Sequence, residues 1–129
     1  MKIRRLDHLV LTTAHFEECV RFYTEVLGME LIEGKGRYAL RFGKQKINIH
    51  RKKAEFLPAA KHPTYGALDV CLIAEGDIEE IKAELTDKGC PIEEGVVSRT
   101  GALGAIRSVY VRDPDGNLVE ISVYENGTL

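Results

Sequence analysis

Four polar residues sit inside aliphatic runs: His8 in "LDHLVL", Asn48 in "INIH", Asp69 in "LDVCLI" and Glu120 in "LVEIS". One imidazole and two carboxylates make a ligand set for a hard or borderline divalent cation. The Asn48 carboxamide is a weak ligand, so it leaves a coordination place open or hydrogen-bonds a substrate. His50, two residues further on, is a spare nitrogen ligand. Taken alone, His8 has three readings: a core histidine satisfied by a hydrogen bond, a pocket-lining residue, or a metal ligand. The choice depends on whether the other three are carried to the same place.

The elements around them repeat. A first strand, "LDHLVLTT", precedes a helix in "AHFEECVRFYTEVLGM", where Phe16, Cys19, Val20, Tyr23, Val26 and Leu27 form an apolar stripe and Gly28 is the stop. Three short strands follow, Glu30 to Glu33, Arg37 to Phe42 and Lys46 to His50, with turns at Gly34–Gly36 and Gly43–Gln45. The order then restarts. "TYGALDVCLIA" reads as a strand, and "DIEEIKAELTDKGC" as a helix with an Asp77/Glu80 capping box and a Gly89 stop. Strands at Pro91 to Glu93, Ile106 to Val111 and Leu118 to Tyr124 complete it, the last two joined by the turn "RDPDGN".

The two stop glycines are 61 residues apart, and so are His8 and Asp69. Laying "DHLVL" over "LDVCL" and "INIH" over "VEIS" puts Asp69 on His8 and Glu120 on Asn48. Strand side chains alternate, so Ile47, Ile49, Val119, Ile121 and Val123 face the helices. Lys46, Asn48, His50, Leu118, Glu120 and Ser122 face the other way. The expected architecture is α+β: two βαβββ modules, about 4–55 and 64–125, in a single domain over 1–129, with a curved mixed sheet forming a cleft. Phe56 to Pro63 is the expected linker.

Composition narrows the partners. Eighteen basic and twenty acidic residues give a formal charge of −2, with no long run of one sign, so no nucleic-acid footprint is expected. No apolar stretch reaches membrane-spanning length, and the basic start lacks an apolar leader core, so a cytoplasmic protein is expected. Cys19, Cys71 and Cys90 form no CxxC pair and read as reduced thiols, at least two of them in the core.

The stretches "LDHLVL", "RFYTEVLGMEL" and "SVYVRDPDGNLVEIS" resemble the vicinal oxygen chelate superfamily, which includes glyoxalase I, extradiol dioxygenases, fosfomycin-modifying enzymes and bleomycin-binding proteins. "FGKQKINIH", "HPTYGALDVCLI" and "PIEEGVVSRTGALG" are similar in particular to the glyoxalase domain-containing protein 5 group. The resemblance implies metal ligands at His8, Asp69 and Glu120 for a divalent ion, whether manganese, iron, zinc, nickel or magnesium. The fifth-strand ligand of three-ligand members is usually histidine, and Asp69 departs from that. Where glyoxalase I carries a fourth ligand, this chain has Asn48. The resemblance also implies a homodimer and a small substrate with adjacent oxygens, on which the metal stabilises an enediolate, alkoxide or catecholate. Glu120 is ligand first and a candidate base second.

Ser108 and Tyr110 alternate on one face of the seventh strand, beside Glu120 across the hairpin. By resemblance to the fosfomycin-modifying enzymes they line a substrate cavity; as plain residues they are a half-buried sheet serine and tyrosine. Arg99, in "RTGALGAIR", lies in what reads as a mobile loop and can clamp a substrate carboxylate or phosphate, or stay solvated. Asp7 is expected to face the side opposite His8 and to join a polar contact at the start of the strand. Two functions remain open. One is a metal-dependent lyase, isomerase or dioxygenase. The other is a non-catalytic, bleomycin-resistance-like dimer that binds a drug or another small molecule.

Overall fold

The computed structural model describes all 129 residues. The chain divides into two compact units, Met1–Ala67 and Leu68–Leu129. Each is a βαβββ module around one four-stranded mixed sheet. No helix is long and apolar enough to cross a membrane.

The first unit runs β1 (His8–Thr12), α1 (Phe16–Arg21), β2 (Glu30–Gly34), β3 (Arg37–Phe42) and β4 (Gln45–His50). The sheet order is β1-β4-β3-β2, with β1 parallel to β4 and the other pairs antiparallel. The helix does not keep one periodicity. Past Arg21 it widens into a π-type turn over Phe22–Val26, with the Leu27 amide reaching the Phe22 carbonyl at 3.1 Å. A wider turn rotates the following side chains relative to an α-helical wheel. Phe22, outside the expected stripe, is therefore buried beside Tyr23 and Cys19, while Val20 and Val26 are only partly covered. These side chains, with Leu11, Leu40, Ile47 and Ile49, are the unit's core. Phe16 holds the helix to β3, its ring centroid 4.7 Å from that of Tyr38.

The second unit runs β5 (Asp69–Ile73), α2 (Ile78–Asp87), β6 (Glu94–Gly101), β7 (Gly104–Arg112) and β8 (Leu118–Tyr124), with sheet order β5-β8-β7-β6. Asp77 caps α2 by accepting from the Glu79 and Glu80 amides at 2.8 and 3.2 Å. Ile78 and Leu85 go inward against Val109, Val111, Val119 and Ile121. The "RDPDGN" turn is built as expected: Asp113 accepts from the amides of Asp115 and Asn117, and the buried Asn117 side chain accepts from Leu68 N at 2.8 Å.

Two expectations are corrected. The sixth strand is Glu94–Gly101, not Pro91 to Glu93, and "RTGALGAIR" is no loop but the distal half of a β6–β7 hairpin closed by the Gly101–Gly104 pair. β6 is an edge strand, where charged and polar residues are tolerated. It also carries a register shift between Gly95 and Val97, so its hydrophobic alternation is broken.

The register supports the superposition of the halves. In β1–β4, His8 pairs with Lys46 and Val10 with Asn48. In β5–β8, Asp69 pairs with Leu118 and Cys71 with Glu120. The two parallel ladders are therefore in the same register: His8 corresponds to Asp69, and Asn48 to Glu120.

Candidate functional site

In the second unit, Glu120 faces away from α2 on the same side of the sheet as Cys71, Ser108, Tyr110 and Ser122. Its Oε2 accepts from Ser108 Oγ at 2.6 Å and from Ser122 Oγ at 3.2 Å. The two serine hydroxyls are 2.6 Å apart, and Cys71 Sγ lies 3.3 Å from Ser122 Oγ. Each hydroxyl has one proton. Ser108 gives its own to Glu120, the single Ser122 proton is shared between Ser108 Oγ and the more distant Glu120 Oε2, and the Cys71 thiol can donate to Ser122. Burial pushes that thiol upward, the Ser122 hydrogen bond opposes the shift, and the charges of Glu120 and Asp69 add to it. Both serines are fully buried, so the donors that hold the carboxylate from below are shielded from water.

Arg99 is brought to this face by β6. Its Nε donates to the Tyr110 hydroxyl at 3.0 Å, while its other nitrogens donate to Ser98 O and Glu94 Oε1. Burial raises the Tyr110 phenol above its ordinary value, Arg99 pulls it back by hydrogen bonding, and the Glu120 charge raises it again. Arg107, by contrast, pairs with Glu79 of α2 at 3.6 Å. A concavity of about 430 Å³ opens on this side of the sheet, walled by Cys71, Ile73, Arg99, Ile106, Glu120 and Tyr124. Ser108, Tyr110 and Glu120 share this face as the strand alternation implies, and Arg99 joins them from β6 rather than from a loop; Arg99 and Glu120 line the concavity, Ser108 and Tyr110 do not. Asp69 is exposed and lies on the same face, diagonal to Glu120 across β5–β8, but does not line the concavity. Ser122 and Cys71 complete the cluster. Ser122 is legible from the two-residue repeat with Glu120; Cys71 carries no signal apart from its alternation with Asp69.

In the first unit, His8 begins β1 on the face shared by Lys46, Asn48 and His50. Asp7 does not turn away, as expected from alternation; its Oδ1 lies 2.8 Å from His8 Nδ1. The residue precedes the strand and is not bound by its pleat. The hydrogen bond with His8 holds the Asp7 carboxyl below the usual carboxylate value. An ionised carboxylate only accepts, so Nδ1 is the donor of this pair and Nε2 is the nitrogen left for another partner. Metal-binding histidines are commonly oriented in this way. Asn48 and His50 line a second concavity of about 280 Å³. His50 is largely buried, with Phe56 edge-on to its ring at 5.4 Å between centroids.

The donors fit a divalent cation in kind: an imidazole with its second nitrogen fixed, and a carboxylate with one oxygen anchored. In number, no group of three or more His, Cys, Asp or Glu side chains is placed to hold a metal ion. His8 belongs to the first unit, Asp69 and Glu120 to the second.

The model of the Glyoxalase/Bleomycin resistance protein/Dioxygenase superfamily matches residues 5–121, and the chain belongs to that superfamily. Virulence protein STM3117 of Salmonella typhimurium is 50% identical over 125 residues, 96% of this chain and 87% of that protein. Its crystal structure superposes with a TM-score of 0.94, covering 96% of this chain and 99% of the other. Glyoxalase domain-containing protein RDO1 of Mycosarcoma maydis is 46% identical over 127 residues, 98% of this chain and 72% of that protein.

Proposed function

We propose that this chain is a small metal-dependent enzyme acting on a substrate with two adjacent oxygens, as a lyase, isomerase or dioxygenase. The observation that carries this reading is the Glu120 carboxylate, anchored by buried Ser108 and Ser122 at 2.6 and 3.2 Å on the wall of an open concavity. His8 through Nε2, Asp69 and Glu120 would hold the ion. A bound divalent cation supplies a Lewis acid for negative charge that builds up on the substrate oxygens.

The protein's own residues do the rest. Ser108 and Ser122 keep one Glu120 oxygen fixed, so the other points where a ligand or a substrate proton can meet it. Glu120 is the candidate base. Tyr110, its phenol kept protonated, donates a hydrogen bond to substrate, and Arg99 holds Tyr110 in place. Asn48 and His50 hydrogen-bond substrate from the first unit. We place this chemistry in a cytoplasmic homodimer; sedimentation equilibrium showing a monomer at all concentrations would remove the dimer.

The test is a panel of hemithioacetals, catechols and fosfomycin, assayed with metal-loaded and chelated protein. Turnover of one class that disappears on chelation, and in Glu120→Gln, is expected. Tight binding of a panel member without turnover, equal before and after chelation, would replace the enzyme with a small-molecule-binding protein.

A further inference from the structure

The concavity of the first unit carries charge and space that the proposed ligand set does not use. Three rows of side chains cross the sheet on the face opposite α1. Gly34 pairs with Arg37, and His50 with Thr12; Ile32 pairs with Ala39 and Ala39 with Asn48; Glu30 pairs with Arg41 and Arg41 with Lys46. Arg41 is neutralised by Glu30 at 2.8 Å. Arg37 and Lys46, which both line the concavity, enter no ion pair.

Arg37 is nevertheless not loose. Its guanidinium carbon sits 4.1 Å from the centroid of Phe56. Stacking on an aromatic ring fixes the plane of the fork and leaves its edge N–H groups available to a planar oxyanion. The Phe56 ring is itself held edge-on by His50. His50 is 8% exposed. No side-chain nitrogen or oxygen of the chain is both fully buried and unpartnered, and the His50 ring borders the concavity, as does the Asn48 amide, so both can meet a ligand there.

Gly34 points the same way. It closes β2 opposite Arg37 without a left-handed backbone, and a Cβ built there meets nothing within 4 Å. Neither strain nor crowding requires a glycine. What its missing side chain does is leave the floor beside Arg37 open, a use of strand glycine where another group approaches closely.

We propose that this concavity binds the oxyanion end, carboxylate or phosphate, of a small molecule with an apolar body. Arg37 is the anchor, His50 and Asn48 hydrogen-bond the ligand, and Lys46 adds positive charge from the next row but one. Ile32, Ala39 and Phe56 cover the apolar part. The volume, about 280 Å³, equals that of roughly nine liquid waters and suits a single ring bearing one acidic group. Phosphate and carboxylate share this recognition chemistry. The inference rests on the proposed reading only in taking Asn48 and His50 as substrate contacts, and it needs no metal.

The test is an amide-detected NMR titration of the full chain, kept in chelator, with benzoate, phenyl phosphate and the neutral benzamide. The expected result is saturable shifts at the Gly34 amide and the Asn48 side chain with one or both anions, Kd on the order of 1 mM. Benzamide should bind about tenfold or more weakly, Arg37→Gln should weaken the anion about tenfold, and Gly34→Leu should abolish it. Dispersed spectra of the two variants show that each is folded. No saturable shift at those amides, benzamide binding as tightly as the anions, or Arg37→Gln within about twofold of the parent protein overturns the proposal. Because chelator is present throughout, anion binding in a protein that never takes up metal would refute only the proposed enzyme. Metal uptake without anion binding would refute only this site.

Discussion

If Ser108 acts by holding Glu120, its removal should cost free energy that depends on the glutamate's charge. Ser108→Ala deletes a fully buried hydroxyl whose 2.6 Å bond ends on a carboxylate and whose oxygen is also 2.6 Å from Ser122. A hydrogen bond to a charged group is worth about 1.5–3 kcal/mol and a neutral one about 1 kcal/mol, so the loss should be about 2 kcal/mol. Over 129 residues the unfolding entropy is roughly 0.27 kcal/mol/K, which makes that loss about 7 °C in Tm. In a Glu120→Gln background the same change should cost about 1 kcal/mol, giving a coupling of about 1 kcal/mol in the double-mutant cycle. Urea unfolding of the four proteins measures it. A loss under about 0.5 kcal/mol, or additivity within about 0.3 kcal/mol, would refute the claim that the serine anchors the carboxylate.

Gly95 has φ +119°, and a Cβ there would lie 2.5 Å from the Ser108 carbonyl oxygen. Gly95→Ala should therefore destabilise by about 3 kcal/mol or more, read by urea unfolding. Asn117→Ala removes the acceptor of Leu68 N and a donor to Asp113, both at 2.8 Å, the second bond buried and the first part-buried, and should cost about 2–3 kcal/mol by the same measurement. Burial raises the Cys90 thiol above its ordinary value. The folded state then holds that proton to higher pH than the unfolded chain does, so stability from this group is intact below the ordinary thiol range and falls as pH rises through it. Alkylation of Cys90 in the native protein should accordingly be much slower at pH 8 than that of the unfolded chain. Equal rates would contradict the burial.

The repeat was legible because each module carries the same two periods, helical and then alternating, closed by a glycine at equal spacing. The same alternation placed Ser108, Tyr110 and Glu120 on one face, since a two-residue period and a hairpin leave no other choice. Arg99 was harder to place. An edge strand with a register shift and a glycine at each end has the composition of a loop, and only pairing with β7 distinguishes it. Phe22 was missed because the π-type turn changes the helical period within one element. Asp7 was misplaced because pleat alternation was extended to a residue outside the strand. Arg37 gave no sign at all: its interest comes from a missing counter-charge and from Phe56, nineteen positions away, which only the folded chain reveals.

Metal content per chain tests the central claim most directly. Protein purified without chelator, or dialysed against manganese, iron(II), zinc, nickel or magnesium, should hold one divalent ion per chain by elemental mass spectrometry. His8→Ala and Glu120→Gln, each folded by circular dichroism, should lose it. Folded parent protein that takes up none of the five ions, or variants that retain the ion in full, would contradict the account.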